Sequence, residues 1–180
     1  MIRTALFSLL AAIALATALF ADPAVAQSDP RPEDVESPEA IVEAAYAAIA
    51  RAPGEPFDWD RFRSLFLPQA RLIPNSEQRQ GSFDVLSPEE FIAWIDEVMP
   101  PAGANDQGLQ EEQISAEVVR YGDIAHVFST YQMHLWDSDE ILARGINSFQ
   151  LVHDGDRWWI AGIVWDEENG AGPIPPEYLP

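Results

Sequence analysis

Histidine is the side chain best suited to proton transfer near neutral pH. Two of the three histidines lie in residues 124–136, a stretch rich in aromatic and β-branched residues that predicts a strand. His126 and His134 are eight residues apart, so they share one strand face and are separated by roughly 26 Å, too far to bind one metal ion. His134, beside Gln132 and Trp136, is therefore the candidate general acid or base. The alternative is a histidine that is merely hydrogen-bonded within a sheet.

Two short acidic runs, 137–140 and 154–156, place carboxylates at alternate positions, as calcium loops do. Both lack the rest of an EF-hand pattern and fall where hairpins must turn, so turn formation is favoured over metal binding. The chain contains no Cys, no Gly-rich phosphate loop and no Gly-x-Ser-x-Gly motif. We therefore predict neither a metal site nor a cofactor.

The charge balance excludes two classes of partner. The 180 residues include 30 acidic residues and ten basic ones, all of them Arg, which gives a formal net charge of -20. Nucleic acids and anionic membranes both require clustered cations. We predict that the protein binds neither, and that it forms a single folded domain.

The N-terminal segment is typical of a secretory signal peptide. Arg3 precedes an apolar run over residues 5–20, and small residues around Ala26 form a cleavage site. We expect export to the periplasm or the medium, with no membrane attachment after cleavage near Ala26. The predicted division is 1–26 signal peptide, 27–36 flexible leader, 37–168 folded domain and 169–180 Pro-rich, irregular tail.

Three helix starts and several strands follow the leader. Ser37-Pro-Glu and Ser87-Pro-Glu are N-capping sequences with Pro at the first helical position, and Asp58 caps a helix between them.

Two short strands at 70–73 and 83–86 can pair as a hairpin. Residues 102–112 read as a polar loop, and four long strands are predicted at about 113–121, 124–136, 144–152 and 157–166. Helices followed by a meander of antiparallel strands indicate an α+β fold.

Two segments carry a resemblance to a known family. The run from Tyr46 through Phe57-Asp-Trp-Asp-Arg-Phe-Arg-Ser-Leu-Phe-Leu-Pro-Gln-Ala-Arg-Leu72, and the run from Gly145 to Trp165, resemble the first helices and the last hairpin of the nuclear transport factor 2-like superfamily. This superfamily includes ketosteroid isomerases, SnoaL-like polyketide cyclases and dehydratases. The resemblance covers about residues 37–166. It implies a cone, in which three N-terminal helices cover the concave face of a curved antiparallel sheet and leave an apolar pocket.

The resemblance implies only part of an isomerase site. Tyr46 matches the hydrogen-bonding Tyr of helix 1 in ketosteroid isomerases, and Asn147 stands where their protonated Asp would be. Pro74 falls near the position of the general base, and the nearest carboxylate, Glu77, lies in a polar loop. Proton abstraction needs a carboxylate within about 3 Å of the carbon acid, so the isomerase set is incomplete.

We therefore weigh three functions. The first is an exported small-molecule-binding domain with an apolar pocket. The second is a lyase, isomerase or cyclase acting on an apolar ring or polyketide-like compound, with His134 as acid or base. The third is an interaction module whose pocket is filled by its own side chains. The predicted pocket combines aromatic residues, each of which is by itself more typical of a core position, with polar residues that fix orientation. The residues are Tyr46, Trp59, Phe62, Trp94, Phe128 and Trp165 with Gln132, His134 and Asn147.

The residue pattern of the last predicted strand also indicates a partner. In residues 158–165 both strand faces are apolar, and three helices can cover only one face of the sheet. We expect a homodimer through the convex face.

Overall fold

The computed structural model describes residues 28–74, 85–98 and 106–180. Three helices come first, and the chain then forms most of a five-stranded sheet. The predicted signal peptide lies outside the described residues. The helices are α1 (Pro38–Ile49), α2 (Trp59–Leu65), α3 (Pro88–Val98) and α4 (Glu168–Ala171), with 3-10 turns at Pro32–Asp34 and Pro176–Tyr178.

The predicted caps are present at the first two helices. The Ser37 hydroxyl accepts a hydrogen bond from the Ala40 amide at 3.0 Å, and the Asp58 carboxylate accepts one from the Arg61 amide at 3.1 Å. These bonds satisfy amides that have no partner within the helix.

The third helix begins with a capping box. The Ser87 amide donates to the Glu90 carboxylate at 2.7 Å, and the Glu90 amide donates back to the Ser87 hydroxyl at 3.3 Å. The backbone hydrogen bond from Ser87 lowers the pKa of Glu90.

The sheet has the order β1-β5-β4-β3-β2. β1 runs parallel to β5, and the other neighbours are antiparallel. In the described chain α3 lies between β1 and β2, which stand at opposite edges of the sheet. The strands are β1 (Phe66–Ile73), β2 (Gln110–Tyr121), β3 (Ile124–His134), β4 (Ile141–His153) and β5 (Trp158–Glu167).

The core fills the space between the helices and the concave face of the sheet. Ile41 and Val42 of α1, Phe149 of β4 and Ile160 of β5 are almost fully buried there. The predicted α+β fold, with helices over one face of a curved sheet, is confirmed. In the described ranges 28–74, 85–98 and 106–180, no helix is both long and apolar enough to cross a membrane.

The structure differs from the predictions at both ends of the domain. Part of the predicted leader is packed, because Asp34 is buried against Arg61 with a bond of 2.7 Å and the Val35 carbonyl accepts from the Trp158 amide at 3.0 Å. In the tail, Pro176–Tyr178 forms a turn that lies on the sheet. There Thr130 donates to the Tyr178 carbonyl at 2.7 Å.

The predicted hairpin of short strands is visible at one bridge. The Leu72 and Leu86 backbones exchange hydrogen bonds of 2.8 and 2.9 Å. The rest of the loop that joins them lies outside the described residues.

Candidate ligand cavity

A cavity of about 250 Å³ lies between the helices and the concave face of the sheet. Helices α1, α2 and α3 line it on one side, and β1 to β5 line it on the other. Most of its lining is apolar, which suits a small organic molecule. The lining residues are Ala45, Tyr46, Ile49, Phe57, Phe62, Leu72, Phe91, Trp94, Ile95, Val98, Leu109, Glu111, Tyr131, Met133, Asn147, Phe149, Ile163, Trp165 and Glu167.

Aromatic rings form one wall of the cavity. Phe62 of α2 stacks on Phe91 of α3 with ring centroids 5.3 Å apart, and Phe91 meets Trp165 of β5 edge to face at 6.1 Å. Such pairs add stability beyond the area that they bury. The wall is therefore held by contacts between three separate elements.

The floor of the cavity carries a chain of hydrogen bonds whose direction can be assigned. The Asn147 amide donates to the Tyr46 hydroxyl at 3.0 Å, and the Ser129 hydroxyl donates to the Gln113 side-chain oxygen at 2.9 Å. Tyr46 and Ser129 are 2.7 Å apart. Because the single Ser129 hydrogen is used on Gln113, Tyr46 is the donor in that contact. Each hydrogen bond in this chain is therefore donated in the direction from Asn147 to Gln113, away from the cavity.

Two carboxyl groups face the cavity from strands that are not neighbours. Glu111 lies on β2 and receives a hydrogen bond from Asn147. Glu167 lies at the end of β5 and accepts from the Tyr131 hydroxyl at 3.3 Å. Curvature of the sheet brings the two carboxyls close enough to interact electrostatically.

Gly145 makes room for Tyr131 on the neighbouring strand. A Cβ at this position would lie 2.9 Å from the Tyr131 hydroxyl and would overlap the Asp166 carbonyl oxygen. Any larger residue would therefore displace backbone at the base of the Tyr131–Glu167 contact.

Burial and neighbouring negative charge raise the pKa values of the titratable groups around the cavity. Glu111 is half-buried, and this desolvation, followed by the charge of Glu167, raises its pKa to about 8. Desolvation, followed by the charge of Glu111, also raises the pKa values of Tyr46 and Tyr131 far above the usual range. Glu111 is therefore mostly protonated at neutral pH.

The structure brings together five of the predicted pocket residues. Tyr46, Phe62, Trp94, Asn147 and Trp165 all line the cavity. Trp59 lies one layer behind, where its ring meets Phe62 edge to face at 5.7 Å.

The other three predicted site residues lie on the opposite side of β3. Phe128 contacts the Tyr178 ring at 5.0 Å, Gln132 donates to Glu112 at 2.7 Å, and His134 lies 3.5 Å from the same carboxylate. Side chains alternate along a strand, and Tyr131 and Met133 are the residues of β3 that face the cavity. The structure thus gives His134 no access to the cavity.

Sequence reasoning missed Glu111, Tyr131 and Glu167. One signal was available on β3: its odd-numbered residues 125–133 include no His or Gln, whereas the even-numbered face carries both. The less polar face is the one that turns to the core. Glu111 was hidden because residues 102–112 read as a polar loop, whereas β2 begins at Gln110.

A second concave surface lies just outside Glu111. This groove of about 680 Å³ runs between α1 and β2, and Tyr46 and Glu111 line both it and the cavity. Further carboxylates line the groove, and Arg51, the one cation among its described lining residues, is ion-paired with Asp106. These carboxylates are Glu39, Glu43, Glu55 and Glu112. The groove is therefore strongly acidic.

Neither surface offers a metal site. Throughout residues 28–74, 85–98 and 106–180, no three His, Asp or Glu side chains are grouped so that they could hold a metal ion.

Comparison with known proteins gives structural likeness without sequence likeness. No protein-family model matches the chain, and no curated protein matches its sequence. An NTF-2 like protein of unknown function from Silicibacter pomeroyi is 21% identical with a TM-score of 0.49, over 72% of this chain and 91% of its own. A candidate ketosteroid isomerase from Parabacteroides distasonis is 15% identical with a TM-score of 0.51, over 75% and 96%.

A third solved structure has a different described role. The CamKII hub homology domain of Chlamydamonas reinhardtii is 12% identical with a TM-score of 0.52, over 72% of this chain and 93% of its own. At such identities the likeness concerns the fold, which serves many activities. The chain therefore shares the fold of the second and third of these structures, which is the cone that the resemblance implies, with a cavity between the helices and the concave face of the sheet.

Proposed function

We propose that this protein binds a small, largely apolar molecule in the cavity between its helices and its sheet. The observation that carries the proposal is the cavity itself, about 250 Å³ with an aromatic wall and a few polar groups on its floor. A domain that used its own side chains to fill the cone would not keep such a space.

Native mass spectrometry of protein purified from the producing cell tests this function, since a retained molecule would add a defined mass. A titration with 2-tetralol, a neutral compound of two fused rings, gives a second test by calorimetry. Ala45 is buried on α1 and lines the cavity, so Ala45→Leu should fill part of the space and weaken 2-tetralol binding. Val164→Ala on the convex face is the control and should bind normally. Binding of 2-tetralol that is equal in both variants would contradict the proposal.

A second candidate function is acid-base isomerisation of an apolar carbonyl compound. It is supported by the likeness to a candidate ketosteroid isomerase and by Glu111, whose pKa of about 8 suits proton transfer near neutral pH. The test is exchange of the protons next to the carbonyl of 2-tetralone in D₂O, followed by NMR. Glu111→Gln should abolish the enhanced exchange, and His134→Ala should leave it unchanged. Exchange that survives Glu111→Gln would contradict this function.

We also propose that the protein is exported and dimeric. The N-terminal sequence supports export with cleavage near Ala26, and N-terminal sequencing of the protein outside the cytoplasm would test it. Exposed apolar residues on β2 and β3 support a dimer through the convex face: Val119 is 66% exposed, Tyr121 85% and Ile124 59%. Sedimentation velocity should show a dimer that Ile124→Asp converts to a monomer, and a monomeric wild-type protein would contradict the proposal.

A further inference from the structure

We infer that the ligand of this cavity is an apolar amine, whose ammonium group binds at the carboxyl groups of Glu111 and Glu167. The inference rests on the proposed function and specifies its ligand class. It depends on which polar atoms the cavity presents and on the charge of the route that leads to it.

The N–H and O–H donors on the cavity floor are already used within the protein, except for the proton that Glu111 carries at neutral pH and would give up to bind a cation. Asn147 has two amide hydrogens, and it donates to Tyr46 and to Glu111. Tyr46 donates to Ser129, and Tyr131 donates to Glu167. A ligand therefore meets mainly carboxyl oxygens, which are acceptors when ionised. It must bring donors of its own, and an ammonium brings three hydrogens.

Charge favours the same ligand class. Glu111 and Glu167 are the carboxyls in the lining, and in the described part of the chain no Arg or His joins them there. An anionic ligand would place a further negative charge in an apolar space, which is costly. An ammonium would instead pair with carboxylates in a poorly solvated site, where such interactions are stronger than in water.

The groove outside Glu111 supports the inference independently. Four further carboxylates line it, and Glu111 and Tyr46 lie where the groove meets the cavity. A concave surface lined by one sign of charge raises the local concentration of the opposite ion. Cations are thereby favoured next to the carboxyl that we assign to the ammonium.

Release of a proton from Glu111 is the expected signature of this pairing. The groups that face Glu111 are Tyr46 from α1, Tyr131 from β3, Asn147 from β4 and Glu167 from β5. Desolvation keeps Glu111 largely protonated at pH 7. An ammonium that binds there favours the carboxylate, so Glu111 should release a proton as the amine enters.

Calorimetric titration of the full protein with three compounds of one shape tests the inference: 2-aminotetralin, 2-tetralol and tetralin-2-carboxylate. At pH 7 and physiological salt, the amine should bind at one site at least tenfold more tightly than the alcohol, and the carboxylate should not bind. Titrations of the amine in phosphate and in Tris should differ in heat by the amount that proton release predicts.

Two matched variants test whether Glu111 causes the preference for the amine. Glu111→Gln should remove most of the amine preference while 2-tetralol still binds, and Glu117→Gln, an exposed glutamate of the same strand, should keep it. Equal affinity for amine and alcohol would overturn the inference and leave the proposed function standing. An amine preference that survives Glu111→Gln would also overturn it. Failure of all three compounds to bind would contradict the proposed function itself.

Discussion

Polar side chains are connected differently on the concave and convex faces of the sheet. On the concave face, Asn147, Tyr46, Ser129 and Gln113 form one connected chain. On the convex face, the described side-chain contacts form small separate groups, as between His126 and Ser148 at 3.0 Å. The comparison teaches that connection of polar groups around an enclosed space, rather than the presence of a histidine, marks the candidate site.

The largest expected effect comes from the aromatic wall. Phe62→Ala should lower the free energy of unfolding by about 3–5 kcal/mol, because Phe62 is buried and contacts rings of Phe66 and Phe91. Val164→Ala, on the exposed convex face, should cost about 1 kcal/mol or less. Urea unfolding measures both. Similar losses in the two variants would contradict the distinction between the faces.

Glu111 should make stability depend on pH. Its pKa in the folded protein is raised from 4.5 to about 8, so the folded state holds a proton that the unfolded state loses. This contribution is fully present below about pH 4.5 and is lost as the pH rises through 8. Glu111→Gln should therefore be more stable relative to wild type at pH 9 than at pH 5, by about 2 kcal/mol after allowance for solvent access.

Urea unfolding at pH 5 and pH 9 measures that difference, with Glu117→Gln as the control that should follow wild type. A Glu111→Gln protein with the wild-type pH dependence would show that the carboxyl is ordinary in the folded state.

A smaller effect is expected where the tail meets the convex face. Thr130→Val should cost about 1 kcal/mol, because it removes the hydrogen bond to the Tyr178 carbonyl while it keeps the shape of the side chain. Hydrogen exchange at the amides of residues 177–179 should become faster, and exchange on α1 should not. Unchanged exchange in the tail would mean that this bond does not hold it.

The smallest effect is expected at His134. His134→Ala should change the free energy of unfolding by about 0.5 kcal/mol or less, because its contacts are a neighbouring carbonyl and a partly exposed Glu112. Its affinity for 2-tetralol should equal that of wild type in a calorimetric titration. A large loss of affinity would show that His134 contributes to the binding site.

Local chemistry predicted most of the fold, and tertiary packing decided the site. The two Ser-Pro-Glu caps predicted the starts of α1 and α3, since capping depends on neighbours in the chain. The orientation of β3 could not be read from alternation alone, because the tail covers Phe128 and Thr130 and both faces of the strand therefore carry buried residues. The pairing of Glu111 with Glu167 depends on sheet curvature across four strands.

The most direct measurement is a crystal structure of the protein soaked with 2-tetralol. We expect the ligand within the cavity, against the rings of Phe91 and Trp165 and with its hydroxyl towards Glu111. Density for the ligand only on the outer surface, or a cavity filled by the Trp165 side chain, would contradict it.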